Sequence, residues 1–286
     1  MKFSVPLFTL YLSIVHGLPS KRETNTAVPS ETVILNYALT LEHLENAFYT
    51  QGLLKYSESD FINDGFDSSV RGRFVQIAEH EAGHVKFLQS ALGSAATKPC
   101  TYKFPDTSPQ SFAAVSTLLE NVGTSAYSGA AHYLSGGTLT AAAAILAVEA
   151  RHSAWVSSEV LQVEPWNTAF DTPLDLDQIY TLASSVIESC PASNPQLPVK
   201  AFPTLTFPWG TQPGSTVKVS YGSLDLVGHS VAFVSGHGFD TEPILLNLVR
   251  IPETLRGVVY AFVVSEPNKV TDDAIVAGPA FLRFDF

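Results

Sequence analysis

Apolar positions recur at helical spacing over the first two thirds of the chain and then give way to short β-rich runs. In "SETVILNYALTLEHLENAFYTQGLLKY", Ser30 stands where a helix cap belongs. Ile34, Ala38, Leu41 and Phe48 share one stripe of that helix, and Leu35, Ala38 and Tyr49 share the next. "INDGFD" breaks it. A second helix is predicted from Asp67 to Leu92, stopped by Gly93, and a connection containing Pro99, Cys100 and Pro105 follows. Pro109 suits the first turn of a third helix, which the spacing carries to Gly136-Gly137. The fourth reads "TAAAAILAVEARHSAWVSSEVL", and a shorter fifth, "LDLDQIYTLASSVIES", runs up to Cys190-Pro191. Four long helices joined by short, long and short connections describe a bundle with one crossover.

Beyond the Pro-rich stretch "CPASNPQLPVKAFPTL" the pattern changes. "TLTF", "STVKVSY", "HSVAFVSG", "PILLNLVRI", "GVVYAFVVS" and "AFLRFDF" are short β-branched and aromatic runs parted by Gly, Pro, Asp and Asn. They predict a small C-terminal antiparallel β-sandwich. The expected organisation is therefore a helical bundle over 30–190, a linker over 191–203 and a β-sandwich over 204–286.

Charge narrows the partners. A formal net charge of −11 repels polyanions, so neither nucleic acid nor an anionic membrane surface is an expected partner. "MKFSVPLFTLYLSIVHG" sets one Lys before an apolar run too short to span a bilayer, which reads as a cleaved secretory signal over 1–17. The expectation is a secreted protein, extracellular or in the cell wall. Over 18–29, a flexible tail, Lys21-Arg22 reads either as a dibasic processing site or as a solvated charge pair. With export, Cys100 and Cys190 are expected to form a disulfide. Closing a loop of roughly 90 residues contributes about 4 to 5 kcal/mol in the chain-entropy model. There is no N-x-S/T sequon.

The chemistry sits in two echoes. "LEHLENAFY" and "LENVGTSAY" each place a Glu seven residues before a Tyr, and "IAEHEAGH" and "ILAVEARH" each place E-A-x-H four residues after an Ile. Residues three apart on a helix are separated by about 60° around the axis and about 4.5 Å along it, so both can reach one ion. Glu81 with His84, and Glu149 with His152, are thus chelating pairs, while Glu42 and Glu120 complete the set from facing helices. Glu45, one turn beyond Glu42, is an alternative to it. Four uncompensated carboxylates on apolar helix faces carry a desolvation cost of several kcal/mol each, which two divalent cations would cancel. Carboxylate oxygens with imidazole suit two iron ions, or manganese. Tyr49 and Tyr127 are oxidisable or hydrogen-bonding neighbours, or packing residues.

The strings "LNYALTLEHLENAFY", "IAEHEAGHVKFL", "LLENVGTSAYSGAAHYL" and "AAAAILAVEARHSAWV" resemble the secreted ferritin-like proteins of fungi, described as stress-response, desiccation-related or late sexual development proteins. The resemblance covers roughly residues 30 to 210. It implies a ferritin-like bundle with a two-metal site and implies no substrate. Two functions follow as expectations: an oxidoreductase handling iron, oxygen or peroxide, or a non-catalytic extracellular protein whose β region, through residues such as Trp209 and Tyr221, binds cell wall or another partner. "HEAGH" also matches the H-E-x-x-H helix of zinc proteases. No third His follows it in the extended form of that motif, and the zinc reading leaves the matched E-A-R-H at 149–152 unexplained. His80 is expected to lie behind the ligands or on the surface.

Overall fold

The computed structural model describes residues 28–166, 168–222 and 228–284. The stretch read as a secretory signal, Lys21-Arg22 and most of the tail lie outside the described residues. The helical part comprises α1 (Glu31–Lys55), α2 (Glu58–Asn63), α3 (Ser68–Leu92), α4 (Pro109–Ala130), α5 (Gly136–Trp155) and α6 (Leu176–Ser184). Caps set most of the starts. The side chains of Ser30 and Asp67 accept from the backbone N–H groups of Val33 and Ser69, and a Ser108–Ser111 capping box with Pro109 behind it opens α4. Gly93, at φ 55°, ends α3 in a conformation that favours glycine.

Three boundaries differ from the sequence reading. The third long helix stops at Ala130 in a 3₁₀ turn, Ala131–Tyr133, and Gly136 opens α5 instead of closing α4. Ser135 takes the extended backbone of an N-cap there, and Gly136 sits at φ 50°. α5 continues past Trp155 as a π-helical turn, Val156–Val160, within the span predicted for the fourth helix. The fifth predicted helix is shorter, because its end is drawn out into strand β2 (Ile187–Ser189), which pairs with β1 (Thr101–Tyr102) in the crossover. Beside that pair Cys100 and Cys190 form the expected disulfide. The short α2 was not expected; its Ser57–Asp60 capping box starts it just past the first predicted helix, and it ends within "INDGFD", the stretch read as a break.

The β part comprises β3 (Leu205–Thr206), β4 (Thr216–Lys218), β5 (Ser220–Tyr221), β6 (Ser230–Ser235), β7 (Gly238–Pro243), β8 (Leu248–Arg250), β9 (Gly257–Val264) and β10 (Ile275–Phe284). An antiparallel sheet of order β10-β9-β6-β7 is faced by the pairs β3-β5 and β4-β8. β9 is buried along its whole length, which accounts for its unbroken apolar sequence. One side, Val258, Tyr260, Phe262 and Val264, joins the core of the helices. The other, Val259, Ala261 and Val263, packs with Leu205, Val249 and Ile251 under the short strand pairs. The bundle and the sheet therefore share a core: Tyr260 reaches Ser125 on α4 with its hydroxyl 3.0 Å from the serine oxygen.

Candidate metal centre

α1, α3, α4 and α5 each contribute a glutamate to one centre, and Glu42, Glu81, Glu120 and Glu149 are all completely buried. His84 and His152 complete the ring. Glu81 is common to both: its Oε2 is 3.0 Å from His84 Nδ1 and its Oε1 is 3.3 Å from His152 Nδ1. Glu42 Oε2 and Glu149 Oε1 lie 3.3 and 3.4 Å from His84 Nδ1, and Glu120 Oε2 lies 3.1 Å from His152 Nδ1. The six residues thus form two overlapping sets, Glu42, Glu81, His84, Glu149 and Glu81, Glu120, Glu149, His152. Within each set one donor atom per residue lies within 4.8 Å of the others. Glu81 and Glu149 belong to both.

The donor oxygens are short of partners. Glu42 Oε2, Glu81 Oε1 and both oxygens of Glu149 are buried and accept no hydrogen bond. Leaving such groups unpaired costs about 1–3 kcal/mol each, and more when charged. Lone pairs so arranged, with two imidazole nitrogens among them, fit the binding of a metal ion.

Protonation shows the same deficit of positive charge. Burial pushes Glu42 up to about 7, with Glu81 adding and His84 opposing. Burial and the neighbouring carboxylates also hold Glu45, Glu120 and Glu149 above the usual carboxylate range. Glu81 is the exception: against its burial, the imidazoles of His152 and His84 beside it bring it down to about 2. Burial opposes charge on both histidines, yet their carboxylate partners push His84 up to about 12 and His152 to about 9. Protons occupy here the role that cations would take.

The tyrosines are crossed between the repeats. The Tyr127 hydroxyl of α4 donates to Glu42 of α1, and the Tyr49 hydroxyl of α1 donates to Glu120 of α4. Each fixes one outer glutamate, so both tyrosines hydrogen-bond within the site as well as packing. Glu45 is 3 % exposed but belongs to neither set. It is Glu42 that faces His84, and Glu45 adds a fifth buried acid one turn away. At the matching position of the second repeat stands Gly123, where a Cβ would come within 2.6 Å of Glu149 Oε2 and 3.0 Å of Glu45 Oε1. That glycine opens the space both carboxylates use, a role its small size alone could not reveal in the sequence.

His80 lies at the surface and stacks on His152, its Nδ1 2.9 Å from His152 Nε2. The two histidines of "HEAGH" therefore serve different neighbours, and among the described residues no set of metal donors includes His80. Helical spacing carries no sign of this contact, since His80 and His152 are on different helices. Of the remaining histidines, His43 reaches the Thr97 carbonyl and His229 the Tyr221 hydroxyl.

Residues 30–162 match the family model of the ferritin-like domain. Over 174 residues the chain is 28% identical to protein rds1 of Schizosaccharomyces pombe. That match takes in 60% of this chain and 42% of the relative, so it spans less than half of the relative's length.

Proposed function

We propose, from the match of residues 30–162 to the ferritin-like domain, that the carboxylate–histidine cage holds two iron or manganese ions. The observation that carries the reading is the pair of overlapping donor sets sharing Glu81 and Glu149, with four buried carboxylate oxygens lacking any hydrogen bond. Glu42 with His84, and Glu120 with His152, would hold the ions, together with Glu81 and Glu149, which belong to both sets. Such a pair supplies electrons to, or takes them from, a bound oxidant or ferrous ion. The chain's own part is to fix the outer carboxylates through Tyr127 and Tyr49, to keep the cage dry, and to give up protons from Glu42 and the histidines as cations enter. We assign the protein to the handling of iron, oxygen or peroxide after export. The resemblance to fungal stress-response and desiccation-related proteins supports a protective duty.

Metal content of protein from a secreting host is the test. Two ions per chain are expected, both lost in Glu81→Ala and one lost in Glu42→Ala. Folded protein without metal overturns the proposal. A single zinc, lost in His80→Ala, would support hydrolase chemistry instead. A second reading, adhesion through the β part, is favoured by Trp209, whose side chain is fully exposed, and Leu246, 92% exposed. Retention on insoluble wall material that Trp209→Ala abolishes would carry it.

A further inference from the structure

The cage is built from a repeat, but its two flanks differ. Beyond Glu120 the bundle is solid: Tyr49 is backed by Phe48, Phe74 and Phe112, all completely buried. Phe112 stacks on Phe48 at 4.7 Å, and Phe74 meets Trp155 edge-on at 5.3 Å. Beyond Glu42, past Tyr127, there is instead a hollow between α1, α3, α4 and α5, walled in part by Ala38, Ala91, Ala126, Ala130, Ala141 and Ala142.

The echo in the sequence explains the difference residue by residue. Counting from the glutamates, Phe48 of the first repeat corresponds to Ala126 of the second, and Phe74 corresponds to Ala142. Trp155 corresponds to Phe87, which stands at the lip of the hollow, 49% exposed. Two alanines replace two phenylalanines, and the hollow beside them has a volume of about 40 Å³.

The chemistry of the walls defines what fits. Three side chains with hydroxyls line the hollow, and all are engaged: Tyr37 donates to the Leu176 carbonyl, Tyr127 to Glu42 and Thr138 to Glu31. No polar ligand group finds a free partner there, and apolar space of this kind favours an apolar guest over water. Along α1 the wall runs from Ile34 to Leu41, about 10 Å at the helical rise. The hollow is therefore long as well as apolar. Glu31, exposed and bonded to the wall residue Thr138, places a carboxylate beside the opening and disfavours an anionic head group.

We propose that this hollow binds an uncharged, unbranched alkyl chain, lying along α1 and reaching toward Tyr127 and Glu42. Its role as the substrate site of the cage rests on the redox reading above; the binding itself does not. Calorimetry on the protein as isolated tests it. Octan-1-ol is expected to bind saturably, one per chain, and affinity is expected to rise about fourfold per methylene from heptan-1-ol to nonan-1-ol, as burial of each CH₂ requires. Octanoate is expected to bind at least tenfold more weakly at pH 7. Ala142→Phe, and independently Ala126→Phe, should restore the packed flank and weaken octan-1-ol at least tenfold while metal content is unchanged; thermal melts identify any variant that fails to fold. No saturable binding by wild type, or binding undiminished in both folded variants, overturns the proposal. So does a dimer by light scattering that alcohols do not compete, because a second copy would then cover the hollow. Alcohol binding without metal defeats the redox reading alone, and metal without alcohol binding defeats this one alone.

Discussion

Glu42 and Gly123 show how tightly the cage is drawn at the level of single side chains. Gly123→Ala gains about 1 kcal/mol of helix propensity, but its Cβ would meet Glu149 Oε2 at 2.6 Å. Overpacking of this kind costs about 1–3 kcal/mol. The expected outcome is a lowered melting temperature and less than two metal ions per chain, read by calorimetry and elemental analysis. Protonation gives a second prediction, for protein stripped with a chelator. Glu42 rises from 4.5 to about 7 on folding, so its contribution is fully present below pH 4.5 and lost as pH climbs through 7, on the order of 3 kcal/mol. His152 rises from 6.5 to about 9 and acts in the same direction at higher pH. Glu81, lowered to about 2, has the opposite sign, but its window lies below pH 4.5. Metal-free protein should therefore melt at progressively lower temperature from pH 5 to pH 9, and ferrous or manganous ion should abolish that slope. A melting temperature that rises over this range contradicts the assignment of charge in the cage.

The helices were legible in the sequence wherever a local signal set them. Ser30, Asp67, Pro109 and Gly93 mark real ends because caps and a left-handed stop act within a few residues. The convergence of Glu42, Glu81, His84, Glu120, Glu149 and His152 was legible for a related reason: helical periodicity turns spacing into direction, and the echo repeats it. What could not be read depends on contacts between distant segments. The C-terminal end of the fifth predicted helix is strand because β1 offers Ile187–Ser189 an edge and the disulfide holds it there. The helical reading of that stretch saw neither. The crossed tyrosines, and His80 on His152, likewise need two helices placed side by side. Reducing the Cys100–Cys190 bond should cost about 2–5 kcal/mol, by release of a loop with a sequence separation of 90. Denaturant unfolding with and without reductant measures it, and the loss should centre on the β1-β2 pair.

At the scale of the whole molecule, the linker residues join two parts that share a core. Tyr260 donates to the Asn121 carbonyl and pairs with Ser125, both on α4, the helix that carries Glu120. Tyr260→Phe removes both contacts and leaves Ser125 without its partner on the sheet, at an expected cost of about 1–2 kcal/mol. A single cooperative unfolding transition in which both parts melt together, shifted down in the variant, is the expected record; two separable transitions contradict a shared core. That sharing also sets a schedule. The face of α4 and α6 that β9 and β10 cover is synthesised long before Gly257–Phe284, and at roughly 5–20 residues per second the wait lasts on the order of ten seconds. For that interval the nascent helices present an apolar surface whose native cover does not yet exist. Every molecule of this protein therefore passes through a stage at which that face lies open to its neighbours.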